Sequence, residues 1–156
     1  MAAYGRGDYA TALQLIRPLA NQGDARAQYN LGVMYNDGQG VPQDDTEAAK
    51  WFRRAADQGH AAAQHNLGFI YEIGQGLPQD YAEAVSWYRK AADQGYAAAQ
   101  HNLGFSYEIG QGVLQDYAEA VNWYRKAADQ GFAVAQYNLG LTYNTGQGVP
   151  KNYVEA

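Results

Sequence analysis

Apolar positions return along this chain at helical spacing, in two alternating segments separated by glycine-rich breaks. Ala27, Leu31, Met34 and Tyr35 recur near the helical period and stop at Gly38, a residue suited to a left-handed cap. Ala48, Trp51, Phe52 and Ala55 then fall at i, i+3, i+4 and i+7, a single apolar stripe that stops at Gly59. The pattern predicts a helix A over 24–37, a turn, and a helix B over 45–58.

This pair of segments repeats. Leu31, Leu67, Leu103 and Leu139 lie 36 residues apart, as do Trp51, Trp87 and Trp123. Residues 60–95 and 96–131 differ only at His60/Tyr96, Ile70/Ser106, Leu77/Val113, Pro78/Leu114 and Ser86/Asn122. A period of this length marks a stacked helical array, in which each unit buries its apolar face against its neighbours. The organisation reads as a half repeat over 8–23 holding a lone helix B, full repeats over 24–59, 60–95 and 96–131, and a truncated repeat over 132–156. In the half repeat, Asp8, Tyr9, Ala12, Leu15, Ala20 and Gly23 align with Asp44, Asp45, Ala48, Trp51, Ala56 and Gly59.

Two local signals sharpen the helices. Asp44…Glu47, Asp80…Glu83, Asp116…Glu119 and Asn152…Glu155 have capping-box spacing, in which the first side chain accepts from the third amide while the later carboxylate reaches back. That gives several acidic residues a structural role. Gly32, Gly68, Gly104 and Gly140 stand mid-helix, where glycine costs about 1 kcal/mol relative to alanine. Close packing of a facing aromatic such as Trp51 or Tyr71 is the expected offset.

Composition narrows the function. Apolar residues are 47% and charged residues 17%, which supports a buried core. The net charge of −5 lacks the dense basic surface that nucleic acid requires. With no cysteine there is neither a disulfide framework nor a thiolate metal site. No window reaches the length of apolar run that membrane insertion needs, and the first residues lack the apolar stretch of a secretory signal. No compartment is assigned: the chain suits the cytoplasm, or export where a longer parent supplies a leader.

Each unit reads Ala-x-Ala-Gln-x-Asn-Leu-Gly-x-x-Tyr, then Gly-x-Gly-Val-Pro-Gln-Asp, then Ala-x-x-Trp-(Phe/Tyr)-x-x-Ala-Ala-x-x-Gly. This resembles the Sel1-like repeat, a relative of the tetratricopeptide repeat with a longer turn between its helices. Leu114 departs from the motif's proline, and the cysteine pairs of the family's β-lactam-binding, cysteine-rich branch have no counterpart. The resemblance implies an all-α, right-handed α-α superhelix (solenoid), a scaffolding or adaptor role and no catalysis. Because the pattern opens midway and stops inside a unit at Glu155–Ala156, a piece of a longer bacterial protein is expected.

No chemical motif competes strongly with that role. The Gly-Gln-Gly turns at 38–40, 74–76, 110–112 and 146–148 lack the strand, helix start and Lys-Ser/Thr of a phosphate cradle. The tryptophans sit on the apolar stripe of each helix B, which favours core over an aromatic cage for a cation. His65 and His101 share a repeat position, but Glu72 and Glu108 lie seven residues on, about 10 Å along a helix. Neither Ser86 nor Ser106 stands in a nucleophile elbow. The reading contains no catalytic residue, metal or cofactor. A small-molecule binder or an enzyme with an unrecognised site is the alternative.

A partner is best read by positions that vary between units while sharing one face. Helix A supplies such a stripe: Arg26, Tyr29, Val33, Asp37; Ala62, His65, Phe69, Ile73; Ala98, His101, Phe105, Ile109; and Val134, Tyr137, Leu141, Thr145. In the related repeat families helix A lines a concave wall, so the stripe is expected to floor a groove for a protein or peptide. The competing reading packs Phe69, Phe105 and Leu141 between repeats. The apolar side of 133–143, with Ala135, Leu139 and Tyr143, lacks a following helix B. It is expected to self-associate, head to tail against a neighbour's Tyr9, Leu13 and Ile16 or as a symmetric pair.

Overall fold

The computed structural model describes residues 9–150, so the Asn152…Glu155 pair lies outside the described residues. Asp24 opens the first helix A by accepting from the Ala27 amide at 2.7 Å. Gly38, at φ 68°, closes it by returning its N–H to the Met34 carbonyl. Helix B starts on Asp44, whose Oδ1 accepts from the Glu47 amide at 3.0 Å, and the same cap recurs at Asp80 and Asp116. The reciprocal half of the capping box is absent at Asp44. Its own N–H donates to the Tyr35 carbonyl at 3.0 Å, and the Glu47 carboxylate turns instead to Lys50 at 2.7 Å. The carbonyl of the preceding helix has taken the donor that the carboxylate would have used.

These signals give eight helices among the described residues: α1 (Tyr9–Asn21), α2 (Ala25–Asp37), α3 (Asp45–Asp57), α4 (Ala61–Ile73), α5 (Tyr81–Asp93), α6 (Ala97–Ile109), α7 (Tyr117–Asp129) and α8 (Ala133–Thr145). Odd numbers are helices B and even numbers helices A. The fold is an all-α helical repeat of the solenoid class, and it divides into two compact units, α1–α4 and α5–α8. None of these helices is long and apolar enough to cross a membrane.

The first unit's core gathers Ala12, Ile16, Ala20, Ala27, Leu31, Met34 and Trp51. Trp87 and Trp123 are buried alike. The outer face of each indole is lidded by the cation one turn on: Arg54 over Trp51 at 4.4 Å, Lys90 over Trp87 at 3.5 Å and Lys126 over Trp123 at 3.7 Å. No face is left for a cationic ligand. The aromatic over the mid-helix glycine is not the tryptophan but the next residue. A Cβ on Gly32 would lie 2.7 Å from the Phe52 ring, and one on Gly104 would lie 2.8 Å from the Tyr124 ring. Adjacent helical residues point about 100° apart, so one faces the glycine of its own repeat while the other joins the core of the preceding helices.

Polar ties join successive repeats within each unit. Gln28 is buried and donates to the Ala20 carbonyl at 3.1 Å, while its own Oε1 accepts from Gln58 at 2.7 Å. Gln100 repeats this with Ala92 and Gln130. Arg53 donates to the Tyr71 hydroxyl, as Arg89 does to Tyr107 and Arg125 to Tyr143. The second glycine of each turn rests on the helix B one repeat earlier. A Cβ on Gly76 would stand 2.4 Å from the Asp45 carbonyl oxygen, and one on Gly112 would stand 2.1 Å from that of Tyr81. Both glycines also have positive φ, so no other residue serves there.

On the terminal helices, Ala135 and Tyr143 are buried and Leu139 is half-buried, where Leu31, Leu67 and Leu103 are fully enclosed. In α1 the expected contact residues are partly used by the chain's own core. Ile16 is in the core, with Tyr9 and Leu13 packed against it, and Leu15 and Leu19 are the exposed pair. Leu15 holds the tryptophan position, but the face it presents differs from the one that covers α2.

Candidate functional site

In the first unit the stripe is carried by α2 and α4. Arg26 and Asp37 are exposed at its two ends on α2, with Tyr29 and Val33 half-buried between them. On α4, Ala62 and His65 are half-buried, and Phe69 and Ile73 are 47% and 44% exposed. In the second unit Ala98 and His101 are half-buried, while Phe105, Ile109, Val134, Tyr137, Leu141 and Thr145 are exposed. None of the sixteen stripe residues is buried. Phe69, Phe105 and Leu141 each keep close to half of their surface exposed.

Between α2 and α4 the stripe borders an open cleft of about 290 Å³, lined by Tyr29, Val33, Asn36, Asp37, Phe52, Asn66, Phe69 and Ile70. Asn36, Phe52, Asn66 and Ile70 were not among the expected site residues. Asn30, Asn66, Asn102 and Asn138 recur in every unit beside the stripe, a signal that was present in the sequence. Asn36 donates to Asp37 Oδ1 at 2.7 Å, and Asn66 Oδ1 lies 3.2 Å from His65 Nδ1. A second opening, of about 390 Å³, is a shelf on α1 lined by Leu13, Gln14, Arg17, Pro18 and Asn21, with no acid, histidine or nucleophile.

The residue that opens each later helix A forms one edge of this surface. His60 caps α4, its Nδ1 accepting from the Ala63 amide at 3.2 Å, and its ring stacks on Tyr29 at 4.7 Å. Burial holds the His60 imidazole below its ordinary value near 6.5, and the Arg26 charge pushes the same way. In the second unit Phe132 stands at the matching place, 5.6 Å from the His101 ring.

The matching positions of the second unit hold a closed polar set. The Tyr124 hydroxyl donates to Glu108 Oε2 at 2.5 Å, and Asn138 bonds both that hydroxyl and His101 Nε2, the latter at 3.2 Å. Burial, with Glu108 beside it, holds the Tyr124 hydroxyl protonated far above the usual phenol range. His101 Nδ1 faces Asn102 Oδ1 at 3.0 Å. Glu108 is thereby committed to a phenol rather than poised toward a metal. Among the described residues no three histidine or acidic side chains converge on a point that could hold an ion.

The Sel1 repeat family model matches residues 25–60, 61–96, 97–132 and 133–156. Among solved structures, the chain is 47% identical to a protective antigen of uropathogenic Escherichia coli strains displaying an SLR fold, with a TM-score of 0.89 over 92% of this chain and 31% of that one. It is 39% identical to a Sel1 repeat protein from Oxalobacter formigenes, with a TM-score of 0.91 over 97% of this chain and 62% of that one. The chain thus spans less than two thirds of either relative. A cysteine-rich protein B from Helicobacter pylori, at 20% identity and a TM-score of 0.68 over 85% of this chain and 95% of that one, shares the fold. The comparison with curated proteins returns no match. With matches to each of its four helix A units and a near-superposable backbone in two members, the chain belongs to the Sel1 repeat family.

Proposed function

We propose that this chain is a protein-interaction module in which the helix A stripe of each unit binds a protein or peptide segment. Sel1 repeats generally mediate protein–protein interaction and are generally not enzymes. The observation that carries the reading to particular residues is the exposure of the stripe. Phe69, Ile73, Phe105 and Ile109 stay open to solvent, while Leu67 and Leu103 of the same helices are fully enclosed. Large apolar side chains held out of the core on a rigid helix have the composition of a contact surface. The cleft in the first unit, at about 290 Å³, is open to solvent and large enough for one side chain of a larger partner. Association with a second copy is one form that such binding can take.

A random peptide library selected against the whole chain tests this. A recurrent motif should be enriched on the wild type and lost on both Phe69→Asp and Phe105→Asp, each with an unchanged thermal midpoint. Motifs that survive both substitutions place binding elsewhere and overturn the reading of the stripe.

A further inference from the structure

We infer that the cleft between α2 and α4 takes an extended peptide segment in which an aliphatic side chain adjoins a lysine or arginine. This rests on the interaction-module reading and specifies its partner. The second unit uses the same positions differently. There Glu108, Tyr124 and Asn138 bond to one another, so their polar atoms are used up internally. In the first unit the three positions hold Asn36, Phe52 and Asn66. Phe52 has no hydroxyl, so the bridge is missing and the cleft opens over its ring.

The missing bridge leaves hydrogen-bonding capacity of both kinds. Asn36 spends one N–H on Asp37 and keeps its carbonyl oxygen, while Asn66 spends its oxygen on His65 and keeps its NH₂. Acceptor and donor capacity beside an apolar floor complements a main-chain peptide group and the side chain it carries. The floor is Phe52 and Ile70, with Val33, Tyr29 and Phe69 as walls.

Charge selects the neighbour of that side chain. Asp37 stands at the rim, where the second unit has Ile109, and among the described residues its carboxylate meets Asn36 but no cation. The cations of α3 are engaged elsewhere: Lys50 with Glu47, Arg53 with the Tyr71 hydroxyl and Arg54 over Trp51. A cationic side chain on the ligand supplies what Asp37 lacks, and an acidic one is repelled.

Two short labelled peptides, identical but for a lysine–leucine–lysine or glutamate–leucine–glutamate core, separate the possibilities by nitrogen-15 NMR titration of the whole chain. The lysine peptide should move the side-chain amides of Asn36 and Asn66 and the backbone amides of Asp37 and Phe69. Asp37→Lys should weaken it roughly three- to tenfold and favour the glutamate peptide, with less effect at high salt. Phe52→Tyr, which restores the bridging hydroxyl of Tyr124, should weaken both peptides without lowering stability. Equal binding of the two peptides, or indifference to Asp37→Lys, overturns the cationic assignment and leaves the module reading standing. No resonance change with either peptide overturns the cleft as a peptide site. The module reading fails separately, in the library selection.

Discussion

Alanine in place of Gly104 inserts one methyl group where the structure has no room for it. The new Cβ would lie 2.8 and 2.9 Å from two ring carbons of Tyr124 and 3.1 Å from the Ala120 carbonyl oxygen. Helix propensity alone favours the change by about 1 kcal/mol. Overpacking costs about 1–3 kcal/mol, and the ring cannot retreat freely because its hydroxyl holds Glu108 at 2.5 Å. Stretching that charged hydrogen bond adds about 1.5–3 kcal/mol, which leaves Gly104→Ala destabilised by about 1.5–5 kcal/mol. Gly32→Ala meets the Phe52 ring at a similar distance, but that ring has no hydroxyl to lose, so its net cost should be about 0–2 kcal/mol. Urea denaturation followed by far-UV circular dichroism measures both, read as midpoint shifts at unchanged slope. Trimming the opposing ring in Gly104→Ala/Tyr124→Leu should recover part of the loss relative to Tyr124→Leu alone. A Gly104→Ala protein as stable as the wild type would show that ring contact does not explain the mid-helix glycine.

Three further outcomes are expected. Trp87→Ala removes a buried indole and should cost about 3–5 kcal/mol by the same denaturation assay. Gln100→Ala leaves the Ala92 carbonyl and the Gln130 amide without their buried partner and should cost about 1–3 kcal/mol, more than the same change at the exposed Gln136. His60 is held below its ordinary value near 6.5, so it stabilises the fold in its neutral form, fully above that pH. As pH falls from 6.5 through the lowered folded value, the unfolded chain takes up the proton first and the contribution is lost. His60→Asp, which keeps a cap like that of Asp24, should remove this part of the acid loss in thermal midpoints measured from pH 7 to 5. An identical acid slope in both proteins would exclude His60 as its source.

The helices were legible because each is bounded by residues whose chemistry acts locally: aspartate at the start of helix B and glycine at the end of helix A. Their observed ends fall within a residue of the expected 24–37 and 45–58. Contacts between repeats were less legible, because a period states that two residues are equivalent without stating what they touch. Trp51 and Phe52 are neighbours on one apolar stripe, and only the packing of α1 against α2 decides which of them faces Gly32. Gln28 was visible as a motif residue, but its two hydrogen bonds reach eight residues back and thirty forward. The stripe itself was readable from helical spacing, since it only required that the face opposite the leucines be different. The cleft beside it was not, since Phe52 comes from the other helix of the repeat and Asn66 from the next repeat.

The contrast between the two units separates what the repeat fixes from what it leaves free. Buried glutamine, arginine–tyrosine pairs and turn glycines hold adjacent repeats in one register, and their side chains are the same in both units. Against that constant frame the closed set of His101, Glu108, Tyr124 and Asn138 gives way in the first unit to Tyr29, Asn36, Phe52 and Asn66, which border an open cleft. The substitution is cheap because Phe52 still covers Gly32 with the same ring edge that Tyr124 turns to Gly104. On the proposed reading, a repeat of this kind varies its binding chemistry at a position that also packs over the mid-helix glycine. Such positions are found by comparing what the same buried ring touches from one repeat to the next.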